Sequence, residues 1–170
     1  GLTTIRKKHL NIEGDEMVFS YKGKSGKFQE KHIINSKLSK VISELEELPG
    51  YRLFKYYDEN GELITVESQD LNQYIKEIMG EEFSAKDFRT WAGTMIAAGI
   101  LDELGICEKR QQKEMKKRIR NAIVAVSEKL GNTPSVARDS YIDPRIFEHY
   151  KNGQTINYFQ KEIKKLLRKN

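Results

Sequence analysis

Tyr141 stands between a signal that starts a helix and a signal that ends one, and the phenol so placed is the candidate nucleophile of this chain. In Leu130-Gly131-Asn132-Thr133-Pro134 the Thr-Pro pair reads as an N-cap and first helical residue, because the hydroxyl accepts an orphan backbone N–H and proline has none to lose. Asp143 precedes Pro144, and a residue before proline is pushed out of the α region, so a helix carrying Tyr141 must stop near it. The phenol then sits at the end of an element and not in mid-core. Tyrosine, of which the chain has eight, more often fills a core or surface position. Partners elsewhere in the chain must therefore decide between chemistry and packing.

Arg89 is the first such partner. It lies in the opening turns of a helix announced by Ser84-Ala85-Lys86-Asp87, a cap sequence whose third residue past Ser is acidic, followed by Phe88, Trp91, Ile96 and Ala97. Taken alone, Arg89 also reads as a solvated residue whose stem covers apolar surface. The run from Lys109 to Arg120 is basic and helical, and it is either a solvated face or a surface that tracks phosphates. One cysteine, Cys107, and three histidines give no metal-ligand spacing and no internal disulfide. A reducing, intracellular setting is expected.

The bounds set by composition agree. A chain of 170 residues suits one domain with a single sizeable core. Charged residues make up 32% and hydrophobic ones 38%, and no apolar run approaches the roughly 20 residues that span a bilayer, so neither a membrane helix nor a signal peptide is expected. A net charge of +5 with a pI near 9.1 admits a polyanionic partner such as nucleic acid.

Period and turn chemistry give the elements. Gly1 to Leu10 and Met17 to Tyr21 read as strands around the turn residues Asn11 to Glu16, and Phe28 to Ile34 reads as a third strand after Gly23-Lys24-Ser25-Gly26-Lys27. An antiparallel three-stranded sheet over about 1–35 follows. From Ser36, an N-cap candidate, Leu38, Val41, Ile42, Leu45 and Leu48 recur at helical spacing until Pro49-Gly50. Strand-like shoulders then flank Asp58-Glu59-Asn60-Gly61. Helices are expected over 68–79, 84–99, 108–130, 134–141, 144–151 and 155–167, so the chain is α+β, mainly α, with a helical body over about 36–170. Starting on a strand with no lead-in, Gly1 reads as a cut inside a longer protein.

With these pieces in order the chain resembles the catalytic domain of the small type IB DNA topoisomerases, the poxvirus and bacterial kind, which share their fold with the tyrosine recombinases. The resemblance rests on Gly1-Leu2-Thr3-Thr4-Ile5-Arg6-Lys7-Lys8-His9, on Gly23 to Lys27 in a hairpin, on Lys86-Asp87-Phe88-Arg89-Thr90-Trp91-Ala92-Gly93-Thr94, and on Leu130 to Pro134 followed by Ser140-Tyr141-Ile142. It implies nicking and resealing of duplex DNA without metal, nucleotide or other cofactor, through a 3′-phosphotyrosyl link on Tyr141. Lys24 matches the family's general acid, and Arg89 its second catalytic arginine, whose planar fork can hold two phosphate oxygens. Asn132 stands where many relatives have histidine; its amide can still donate to a non-bridging oxygen but carries no charge. Without the resemblance, Lys24 is an exposed turn lysine and Asn132 a turn residue before a cap. Lys86, Lys27, Lys7 and Arg138 are the expected contacts to the DNA backbone.

The family's first catalytic arginine falls upstream of the Gly-Leu-Thr strand, before Gly1, and the N-terminal clamp domain of the parent chain with it. Slow or absent cleavage by the isolated chain is therefore expected, with a monomer as the acting form in bacterial cytoplasm, nucleoid or a virus-infected cell. Two other readings compete. A tyrosine recombinase or integrase would carry His-x-x-Arg at Lys86 to Arg89 and Leu-Gly-His at Leu130 to Asn132; a noncatalytic DNA-binding module would use the basic helices alone.

Overall fold

The computed structural model describes residues 1–23, 26, 28–108 and 111–167, with side chains to 165. Lys24, Lys27 and the Lys109-Arg110 start of the basic run lie outside the described residues. The chain forms two compact units, 1–85 and 86–170. The fold is α+β and mainly α, as its sequence implies. The first unit holds both the sheet and the first helix, which shares the sheet's own core.

In the first unit, β1 (Leu10–Glu13), β2 (Glu16–Lys22) and β3 (Phe28–Ile34) form an antiparallel meander. Glu13 pairs with Glu16 across a two-residue turn whose first residue, Gly14, has φ 62°, a value other residues resist. Met17, fully buried, points to one side of β2 and packs with Ile5, Ile42 and Leu53. Ile42 comes from α1 (Ser36–Glu47), which covers that face. Burying side chains of this size stabilises by roughly 1.5–3 kcal/mol each. Leu38 and Val41 of the same helix remain exposed, so its apolar stripe meets the sheet over only part of its width.

Two expectations are corrected here. Residues 1–9 form short 3-10 turns over Leu2–Thr4 and Lys7–His9, not a strand. The Thr4 hydroxyl donates to the Gly1 carbonyl at 2.7 Å, a local bond that competes with a ladder, and Arg6 pairs only with Arg52. The cap of α1 is Asn35 and not Ser36: the Asn35 side chain accepts from the Leu38 N–H at 2.9 Å. Beyond α1, the short hairpin β4 (Lys55–Tyr57) and β5 (Leu63–Thr65) is folded by Asp58, whose carboxylate accepts from Asn60 N and Glu62 N. Helix α2 (Ser68–Met79) follows.

The second unit is helical: α3 (Ala85–Glu103), α4 (Gln112–Leu130), α5 (Pro134–Ser140), α6 (Arg145–Lys151) and α7 (Ile156–Leu167). Its core joins Ala97 and Leu101 of α3 to Met115, Ala122, Ile123 and Val126 of α4, with Ala137, Ile142, Phe147 and Tyr150. Helix α4 begins later than the expected residue 108. Residues 104–105 before it are held as a connection by Arg118, which donates to the Leu104 and Gly105 carbonyls, and by the Tyr150 hydroxyl, which donates to Gly105 O at 2.8 Å. No helix among the described residues is long and apolar enough to cross a membrane.

Asp102, near the end of α3, caps α7 from outside: its carboxylate accepts from Asn157 N at 2.9 Å and Asn157 Nδ2 at 2.7 Å. A further bond from the Thr155 hydroxyl is the largest cause holding its carboxyl below the usual range. Asp102→Ala should therefore cost about 1 kcal/mol at neutral pH, the scale of a lost N-cap. A depressed folded pKa means that this stability is present above the unfolded value, near 4, and is lost as pH falls through the folded one. Urea unfolding of both proteins at pH 7 and pH 3 should show the difference shrinking in acid.

Candidate active site

The end of α4 sets the geometry. Gly131 adopts φ 69°, ψ 36°, the left-handed conformation that terminates a helix, and Asn132 N donates back to Ser127 O at 2.8 Å. This reversal leaves the Leu130 carbonyl projecting past the helix. Two side chains meet on it: Arg89 Nη2 at 2.8 Å and Asn132 Nδ2 at 3.4 Å. The Arg89 bond is short and charge-assisted, whereas the Asn132 contact is at the edge of hydrogen-bond range.

Thr133 then caps α5 as its sequence predicts, accepting from Val136 N at 3.3 Å with Pro134 in the first turn. Tyr141 follows the last turn, its N–H still donating to Ala137 O at 3.1 Å while its own backbone, φ −132° and ψ 1°, has left the helix. Ile142, buried in the core, anchors the next position. The Tyr141 ring is thus pinned through its backbone and half-exposed through its side chain. Arg89 lies over it, with Cζ 4.9 Å from the ring centroid. At that distance a guanidinium is attracted by the ring quadrupole, here by about 0.5–1 kcal/mol because the arginine is exposed.

Arg89, Asn132 and Tyr141 are therefore assembled by the second unit alone. Apart from the bond to Leu130, the guanidinium donors of Arg89 have no hydrogen-bond partner among the described residues. A phenol under a cation, with a primary amide that meets the same carbonyl as that cation, would suit transfer of a phosphoryl group to the tyrosine oxygen: one nucleophile and two sets of donors for anionic oxygens. Asp143 is nearby but committed elsewhere. Its carboxylate accepts from Arg145 N and Nε, and the Arg145 guanidinium holds its carboxyl below the usual range.

The remaining expected contacts are spread more widely. Lys86 is exposed one turn before Arg89, and Arg138 is exposed in the last turn of α5, three residues before Tyr141. Lys7 belongs to the first unit, where its ammonium donates to Leu48 O at 2.6 Å. Lys55 donates to that carbonyl as well as to Pro49 O and Gly50 O, and burial pushes its ammonium pKa down. The sequence reading assigned no role to Thr90, Gly93 or Thr94, which touch the backbone on either side of Tyr141. The available signal was Gly93 itself, since glycine in a helix interior is unfavourable and asks for a packing reason.

The family described as "Eukaryotic DNA topoisomerase I, catalytic core" matches residues 1–170. The chain belongs to this family, and it is similar to a DNA topoisomerase 1B of Acanthamoeba polyphaga mimivirus, 32% identical over 179 residues. That alignment covers 96% of this chain and 53% of the mimivirus protein, so the chain spans about half the length of its curated relative.

Proposed function

We propose that the chain performs the cleavage and resealing chemistry of a type IB topoisomerase on duplex DNA, relaxing supercoils without ATP or metal. The observation that carries this reading is the Arg89 guanidinium lying over Tyr141 while Arg89 and Asn132 converge on one carbonyl. Tyr141 Oη attacks the scissile phosphorus, the P–O5′ bond breaks, and the phenolic proton passes to solvent. The departing 5′-oxygen takes a proton from Lys24, whose part rests on the family resemblance. Arg89 and Asn132 donate to the non-bridging oxygens, where charge builds in the transition state. The phosphotyrosyl link conserves the bond energy, so reversal by the 5′-hydroxyl reseals the strand after rotation.

Lys86, Arg138, Lys27 and Lys7 would follow the DNA backbone, and an N-terminal clamp domain of the parent chain would close over the duplex around a monomer. The resemblance matches no residue of 1–170 to the family's first arginine, and on that reading the chain by itself should cleave slowly.

The test uses a duplex whose 5′ product strand is short enough to dissociate, so that covalent adduct accumulates. The wild-type chain should form a denaturant-stable adduct and Tyr141→Phe none, with equal DNA affinity that falls steeply with salt as counterions are released. Adduct from the Phe variant, or from neither protein, would overturn the reading; full-rate plasmid relaxation by this chain would overturn the expected impairment.

A further inference from the structure

We infer that Thr90, Gly93 and Thr94 on one face of α3 form a cradle that sets the backbone of the nucleophile segment, making them positioning residues for Tyr141. These positions are three and four residues apart, so they share one side of the helix, next to Arg89. Three separate contacts meet residues 140–143 there. The Thr90 hydroxyl reaches Ser140 O at 3.4 Å, sharing its proton with Lys86 O. The Thr94 hydroxyl accepts from Asp143 N at 3.0 Å. Between them Gly93 is buried with the Tyr141 carbonyl seated where a side chain would begin. A Cβ there would overlap Tyr141 O and stand 3.1 Å from Tyr141 C and 3.3 Å from Leu130 Cδ1.

The same helix therefore holds the arginine and the backbone of the tyrosine, and Leu130, which accepts from Arg89, packs on the same glycine. Displacing the segment moves the phenol relative to Arg89 and Asn132 without removing either group. An error of about 1 Å in such an arrangement can cost about 10²-fold in rate. Gly99 provides the control within α3: nothing lies within 4 Å of a Cβ added there.

The inference rests on Tyr141 being the nucleophile, and the experiment separates the two claims. Single-turnover adduct formation at saturating DNA is measured beside DNA affinity and the amide exchange of Asp143 N–H. Gly93→Ala, although alanine is the better helix former, should cleave about 10²-fold more slowly at unchanged affinity. Gly99→Ala should cleave at the wild-type rate and melt about 2–4 °C higher. Thr94→Val, which keeps the shape and loses the acceptor, should slow cleavage about 10-fold and speed Asp143 exchange, and Thr94→Ser should restore both.

Wild-type rates for Gly93→Ala and Thr94→Val overturn the cradle, as does a loss confined to affinity or shared equally by Thr94→Ser. Should Gly93→Ala fail to fold, the Thr94 pair decides. Should the wild type form no adduct, the functional reading falls, and Asp143 exchange decides the cradle by itself: faster in Thr94→Val supports it and unchanged overturns it.

Discussion

Arg89→Ala is expected to slow covalent cleavage by the chain by about 10²–10³-fold, the usual result of removing one preorganised donor from a developing oxyanion. Arg89 is exposed and, among the described residues, its side chain makes one hydrogen bond, to Leu130 O, where the Asn132 amide remains within reach, so the fold should tolerate its loss. Its value lies in shape. A guanidinium can present two parallel N–H donors to two phosphate oxygens, and in the proposed reaction Arg89 would do so from its place over the Tyr141 ring. Arg89→Lys keeps the charge but offers a flexible point donor, and should recover only a small part of the loss. DNA affinity should fall little, since the contact is one among several phosphate contacts, with the salt slope reduced by about one. Rapid-quench measurement of adduct formation checks the rate. A near-wild-type rate in the alanine variant removes Arg89 from the chemistry, and a loss of several degrees in Tm would move its role to the fold.

The local punctuation of this site was legible in the sequence. Thr133-Pro134 and Asp143-Pro144 marked where α5 starts and where the chain must leave it, and Tyr141 does fall just past the last turn. The helices of the second unit follow from apolar spacing and turn residues close to their observed bounds. What the sequence hid depends on contacts between distant residues. The Leu130 carbonyl became the meeting point of two side chains only because Gly131 reverses the chain, and Arg89 reaches it from 41 positions away. Gly93 announced a close approach without saying to what. In the first unit, β-branched residues at positions 3–5 suggested a strand, yet local hydroxyl bonding and burial of Thr3 and Ile5 gave turns instead. Lys7 was expected only as a contact to the DNA backbone, and its bond to Leu48, another separation of 41, has no local trace.

Asn132→Ala should slow cleavage by about 10–10²-fold, matching about 1.5–3 kcal/mol for a hydrogen bond to a charged acceptor. The amide is well suited to be turned toward a phosphate: its contact to Leu130 O is 3.4 Å long, so little is given up when the NH₂ group points elsewhere. Being uncharged, it should also leave the rate insensitive to pH through the range where imidazole titrates. Asn132→His replaces that donor with a group whose ordinary pKa is near 6.5. Its charged form donates more strongly, so the His variant should gain rate as pH falls from about 8 to 6 while the Asn132 chain shows no such rise. The comparison isolates the donor because both proteins keep Tyr141 and Arg89. A turn residue that only precedes the Thr133 cap would behave otherwise: Asn132→Ala would lower Tm with cleavage intact, and Asn132→His would bring no new titration to the rate.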